Sequence, residues 1–159
     1  MRGLKYLVLV LGILIAQHVI LPRLSFLGVT PDLVLVAVII YSVLGQETPA
    51  TVFAAVLAFG QDLYARGGYW NMVLKILISA VISNFKAEFM GDEYALAALL
   101  VMVISPLYLL AELLVMTLLL DRQVSLAYAA IKLVAGTIYN LLLVPLLFPL
   151  LKELANADR

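Results

Sequence analysis

From Ala95 to Leu120 the chain reads "ALAALLVMVISPLYLLAELLVMTLLL", and Glu112 is its only charge. A run this long, with no alternation of apolar and polar residues, is not a strand of a barrel; it folds as a helix enclosed by lipid or protein. About 20 apolar residues are enough to cross a bilayer's hydrocarbon core. The rest of the chain has the same character. Of its 159 residues 65% are hydrophobic and 13% charged, with a mean hydropathy of +1.14. Soluble domains are about 45–50% apolar and about 25% charged, and a soluble fold of this size must turn much of its surface to water. The expected fold class is all-α: one integral membrane domain over residues 1–159.

Six spans follow from the apolar runs and their punctuation, at approximately residues 4–21, 31–45, 49–66, 69–85, 95–120 and 126–151. Pro22 closes the first. Its beginning, with Arg2 and Lys5, resembles a secretory signal, but "HVILPRLS" offers no small-residue cleavage site, so an uncleaved span is expected. Thr30 and Thr48 are the expected N-caps of the second and third spans, each followed by proline, with Asp32 in the first turn of the second. Gly67 and Gly68 stop the third. Pro106 predicts a kink near Ser105, and Pro145 and Pro149 predict irregular final turns in the sixth. Six crossings put both termini on one side. With that side inside, it collects Arg2, Lys5, Lys86, Lys152 and Arg159 against Arg23, Arg66 and Arg122 outside, which makes both termini cytoplasmic.

The charges inside the spans raise the functional question, because one mid-membrane charge costs about 2.5–3.5 kcal/mol and needs a partner or water. In a hairpin turning at Gly68, Asp62 and Lys75 fall at matching depth, so an ion pair between them is available. Arg66, one helical turn after Asp62, is a rival partner. Asn71, Lys75, Ser79 and Ser83 share one face of the fourth span, opposite a small-residue ridge of Ala50, Ala54, Ala58 and then Asp62 on the third. The last hairpin repeats the scheme, with Glu112 and Lys132 at similar depth. Lys132, Gly136 and Asn140 share a face, as do Ser105, Tyr108 and Glu112.

Each feature also has a plain structural reading. The pairs can fix helix register, His18 can be an interhelical hydrogen-bonder, and Tyr64, Tyr69 and Trp70 can be interfacial anchors. The Ala ridge can be internal packing. No nucleophile elbow, zincin motif or phosphate loop is present, and one His without any Cys cannot build a His- or Cys-based metal cluster. An enzyme is not expected, and neither is a catalytic, cofactor-binding or metal residue. Zero formal net charge gives no field for nucleic acid.

Three stretches resemble the bacterial rod shape-determining MreD family: "LPRLSFLGVTPDLVL" (Leu21–Leu35), "AFGQDLYARGGYWN" (Ala58–Asn71) and "YNLLLVPLLFPLL" (Tyr139–Leu151). The residues carrying the resemblance are Pro31, Asp32, Gly60, Asp62, Gly67, Gly68 and Asn71, while Trp70 stands where the family has a small residue. The resemblance implies a non-enzymatic six-span scaffold of the inner membrane that binds the bitopic protein MreC. Through MreC it would act with MreB, RodA and its penicillin-binding transpeptidase in rod shape and lateral peptidoglycan synthesis. Membrane lipid and a second copy of the chain are further expected partners. The family is also similar in fold to the substrate-binding subunits of ECF transporters. The alternative is therefore a vitamin-binding membrane subunit, its ligand among the intramembrane polar residues. A proton-coupled transporter is a weaker option, because no matching pair of broken helices is visible.

Overall fold

The computed structural model describes residues 2–64, 68–89 and 91–156, and their regular elements are helical. Six α-helices follow in order: α1 (Arg2–Ile15), α2 (Leu33–Leu44), α3 (Glu47–Tyr64), α4 (Trp70–Phe85), α5 (Glu93–Leu118) and α6 (Leu126–Asn156). Arg66, Gly67 and Arg159, which the sequence reading used as rival partner, helix stop and inside charge, lie outside the described residues.

Cross-chain contacts fix the direction of each helix. Tyr6 meets Tyr41 and Gln17 meets Leu33, so α1 and α2 run antiparallel. Lys75 meets Asp32 and Lys86 meets Gly45, so α4 runs parallel to α2. Lys152 pairs with Glu93 at 3.4 Å, and Lys132 with Glu112 at 3.1 Å, which makes α5 and α6 antiparallel. The helices therefore alternate up and down, and Lys5 and Glu153, 3.9 Å apart, bring the two ends of the chain to the same end of the bundle.

Among the described residues, three helical runs are long and apolar enough to cross a membrane: Gly3–Leu24, Glu93–Leu118 and Leu126–Asn156. The segment expected as an ordinary second span is different. α2 has 12 residues, all of them buried, and at 1.5 Å per residue it is about 18 Å long, short of a hydrocarbon core of about 30 Å. Apolar on every side, it is a helix enclosed by protein: α3, α4, α5 and α6 all pack on it. Asp32, not Thr30, is its N-cap, its carboxylate accepting from Leu35 N at 2.8 Å. A carboxylate there satisfies an orphan N–H and sits at the positive end of the helix dipole. Lys86 holds the other end by donating to the carbonyls of Ser42, at 2.8 Å, and Gly45.

Other boundaries shift for equally local reasons. α3 opens at Glu47 rather than Pro49, and the proline fits in the first turn because its missing N–H has no intrahelical acceptor there. α5 continues through Pro106. α6 continues through Pro145 and Pro149 to Asn156, in place of the irregular final turns expected before Leu151. Neighbouring helices make such prolines tolerable in apolar bundles. The helical run that starts with α1 widens into one π-turn at Ala16–Ile20 and tightens into a 3₁₀ turn at Leu21–Leu24, where Pro22 ends regular α-helix. Ala50, Ala54 and Ala58 are all buried, so the small-residue ridge is internal packing.

Candidate functional site

The polar residues collect at the end of the bundle where α1 passes into α2, α3 into α4, and α5 into α6. Lys75 is the centre. Its side chain has 0% exposure and its Nζ lies 2.8 Å from Asp32 Oδ2. Nζ also donates to Gln61 Oε1 and stands 4.9 Å from the centroid of the Tyr108 ring. The expected Asp62–Lys75 pair is thus replaced by Asp32–Lys75. Equal depth in the α3–α4 hairpin brings Gln61 to the lysine, but the carboxylate comes from α2, the helix that runs beside α4.

Asp62 is used differently. It accepts from Asn71 Nδ2 at 2.7 Å and from the backbone N–H of Met72 at 2.8 Å. It therefore satisfies one free backbone N–H in the first turn of α4 from the neighbouring helix, the task an N-cap residue normally performs. Tyr108 then donates to Asn71 Oδ1, tying α5 to the same corner.

Further donors hold the start of α2. In the π-turn after α1, Gln17 donates to the Pro31 carbonyl at 3.2 Å and accepts from Leu33 N at 2.6 Å. From α6, Asn140 accepts from Asp32 N at 2.8 Å and donates to Ser105 Oγ of α5 at 3.1 Å. Lower on α4, Ser79 is hydrogen-bonded to Ser42 at 2.8 Å, and Ser83 Oγ has no partner among the described residues. Three members of the four-residue stripe on α4, Asn71, Lys75 and Ser79, thus each meet a different partner, and the fourth, Ser83, is buried without one among the described residues.

The second acid–base pair sits beside this network. Glu112 Oε1 lies 3.1 Å from Lys132 Nζ. With Gln17, Thr30, Asp32 and Gln61, the pair lines a polar cavity of about 110 Å³. On its other side Glu112 helps to line a second cavity, of about 200 Å³, with Trp70, Asn71, Tyr108 and Arg122. Gly68 also borders it, with φ +89°, a backbone conformation suited to glycine. His18 stacks on Tyr64 with ring centroids 4.3 Å apart, and its buried Nε2 has no hydrogen-bond partner among the described residues.

The structure therefore brings Asp32, Lys75, Asp62, Asn71, Glu112 and Lys132 to one end of the bundle, while Gly60 is a packing contact lower on α3. A Cβ added to Gly60 would stand 2.6 Å from Leu14 Cδ1. From the sequence, Gln17 stands with His18 as a polar residue near the end of the first span, across the loop from Asp32, with no role assigned to it, and Gln61 is missed. Gln61 had a usable signal, one residue before Asp62 and at nearly the same depth, whereas Gln17 meets the start of α2 from inside the π-turn, which the sequence does not announce. Chemically, the centre of the network is closed: Lys75 and Asp32 satisfy each other and are surrounded by amides and hydroxyls. Compared with known protein families, curated proteins and solved structures, the chain has no match.

Proposed function

We propose that this chain is a non-enzymatic, six-span scaffold of the bacterial inner membrane, with both termini cytoplasmic, that serves cell elongation. It binds an MreC-like bitopic partner and through it supports MreB, RodA and the penicillin-binding transpeptidase in lateral peptidoglycan synthesis. The observation that carries this reading is the use to which the motif residues are put. Asp32 caps α2 and pins it to α4, Asp62 and Asn71 close the start of α4, and Gly60 admits α1 against α3. They are framework residues, spent on one another, as a rigid docking body requires.

The vitamin-binding alternative draws on the two cavities beside Glu112. At about 110 and 200 Å³ they fall below the roughly 300–1,000 Å³ typical of small-molecule pockets, which counts against a vitamin among these polar residues. The test is affinity purification of the tagged full chain from native membranes. Recovery of a bitopic cell-wall protein, lost when Lys75→Ala loosens the bundle, is the expected result. Bound vitamin or a co-purifying ATPase module in its place would overturn the proposal.

A further inference from the structure

α4 and α5 both pack on α2, and their backbones come close to each other at few points, although Tyr108 links them through Asn71 and Lys75. The crevice between them is marked by two cavities with different linings. Near the turns lies the cavity of about 200 Å³, where Glu112, Arg122 and Trp70 join Leu74, Val115 and Met116. Toward the other end lies one of about 390 Å³, walled by Val81, Ile82, Phe85, Leu96, Leu100 and Ile104, with Lys86 and Glu88 near its mouth.

The upper cavity has unused hydrogen-bonding capacity of both kinds, acceptor and donor. Glu112 spends Oε1 on Lys132, and Oε2 has no partner among the described residues. The Arg122 guanidinium and the Trp70 indole N–H also have none among them, and both are donors. The lining therefore offers an acceptor for a cation, from α5, and donors for an anion, from the turn after α5 and the start of α4. Large apolar side chains are exposed along both helices: Val73, Leu77 and Val81 on α4, and Leu107 and Leu114 on α5.

We propose that the α4–α5 crevice is a binding site for a zwitterionic phospholipid with a primary ammonium, of the phosphatidylethanolamine type. The ammonium bonds Glu112, the phosphate bonds Arg122 and the Trp70 indole, and an acyl chain lies along α4 and α5 toward the lower cavity. A headgroup of this kind has few heavy atoms and fits a space too small for a vitamin. A free zwitterion would use the polar end alone, and the apolar length of the crevice is what selects a lipid. The site lies outside the closed Asp32–Lys75 network and does not depend on the scaffold assignment.

The experiment is native mass spectrometry of the full chain, released from nanodiscs of equal phosphatidylethanolamine and phosphatidylglycerol content. A charge-assisted hydrogen bond contributes about 1.5–3 kcal/mol, which predicts roughly tenfold or greater retention of the ethanolamine lipid. Glu112→Gln should abolish the preference, Arg122→Gln should lower retention of both lipids, and Val115→Trp, which fills the cavity, should remove bound lipid while circular dichroism stays unchanged. Arg122 is exposed, so its variant tests the site even if Glu112→Gln disturbs the fold. Equal retention of the two lipids by the wild type would overturn the proposal. So would retention unaffected by Val115→Trp, displacement of the lipid by free phosphoethanolamine, or a partner helix cross-linking into the crevice in the lipid's place.

Discussion

Lys75 has no exposed surface, so its ammonium depends wholly on Asp32, Gln61 and the face of Tyr108. Removing one partner of such a pair leaves a buried charge uncompensated, at a cost of about 3–5 kcal/mol, whereas neutralising both partners together can cost little. Lys75→Ala should therefore destabilise the protein by about that amount in a denaturant titration in detergent, and Lys75→Met with Asp32→Asn by clearly less. A double-mutant cycle should find strong coupling for Asp32 with Lys75 and weak coupling for Asp62 with Lys75; the reverse order would restore the pairing expected from the hairpin. Depth matching within a hairpin identified Lys75 as a residue needing a partner, and it placed Glu112 near Lys132, because both of those helices are consecutive in the chain. It could not supply Asp32. That contact joins α2 to α4, and no local spacing encodes which helix lies alongside one that is not its immediate neighbour.

Helix α2 extends the same lesson to an element. Its sequence is apolar on all sides, which suits a lipid-facing span and a protein-enclosed helix equally; only its 12-residue length separates the two. Its ends then carry its polar obligations, with Asp32 at the N-terminus and Lys86 on the carbonyls of Ser42 and Gly45. Lys86→Gln should cost about 1–2 kcal/mol by removing a charged donor from the negative end of the dipole. The matching readout is faster hydrogen exchange in the last turn of α2 with the first turn unaffected; uniform acceleration throughout the helix would contradict a cap. Gly60 tests the packing of α1 on α3. Alanine is intrinsically better than glycine in a helix by about 1 kcal/mol, but here its Cβ would meet Leu14 at 2.6 Å, and overpacking costs about 1–3 kcal/mol. Strain should win, so Gly60→Ala should lower the melting temperature and Leu14→Ala should restore much of it. Additive losses from the two changes would show that the close approach is not the constraint.

At the scale of the whole molecule, an enclosed α2 inside a ring of outward-facing apolar helices makes a prediction about solvent. The chain has no cysteine, so single cysteines can be placed without background. Val52 on α3 and Leu107 on α5 are exposed, while Val38 in the middle of α2 has 0% exposure. In a bilayer, exposed apolar side chains face acyl chains because lipid, unlike water, does not penalise them. A membrane-confined thiol reagent should therefore label cysteine at 52 and 107 and leave 38 unreacted until detergent and denaturant open the bundle. A water-soluble, impermeant reagent should reach none of the three in sealed vesicles. Labelling at 38 equal to that at 107 would mean that α2 faces lipid, and the enclosed arrangement would have to be abandoned. Labelling at 52 and 107 by the soluble reagent would instead count against a bilayer around these faces, which accounts for so many large apolar side chains pointing outward on a chain with so little charge.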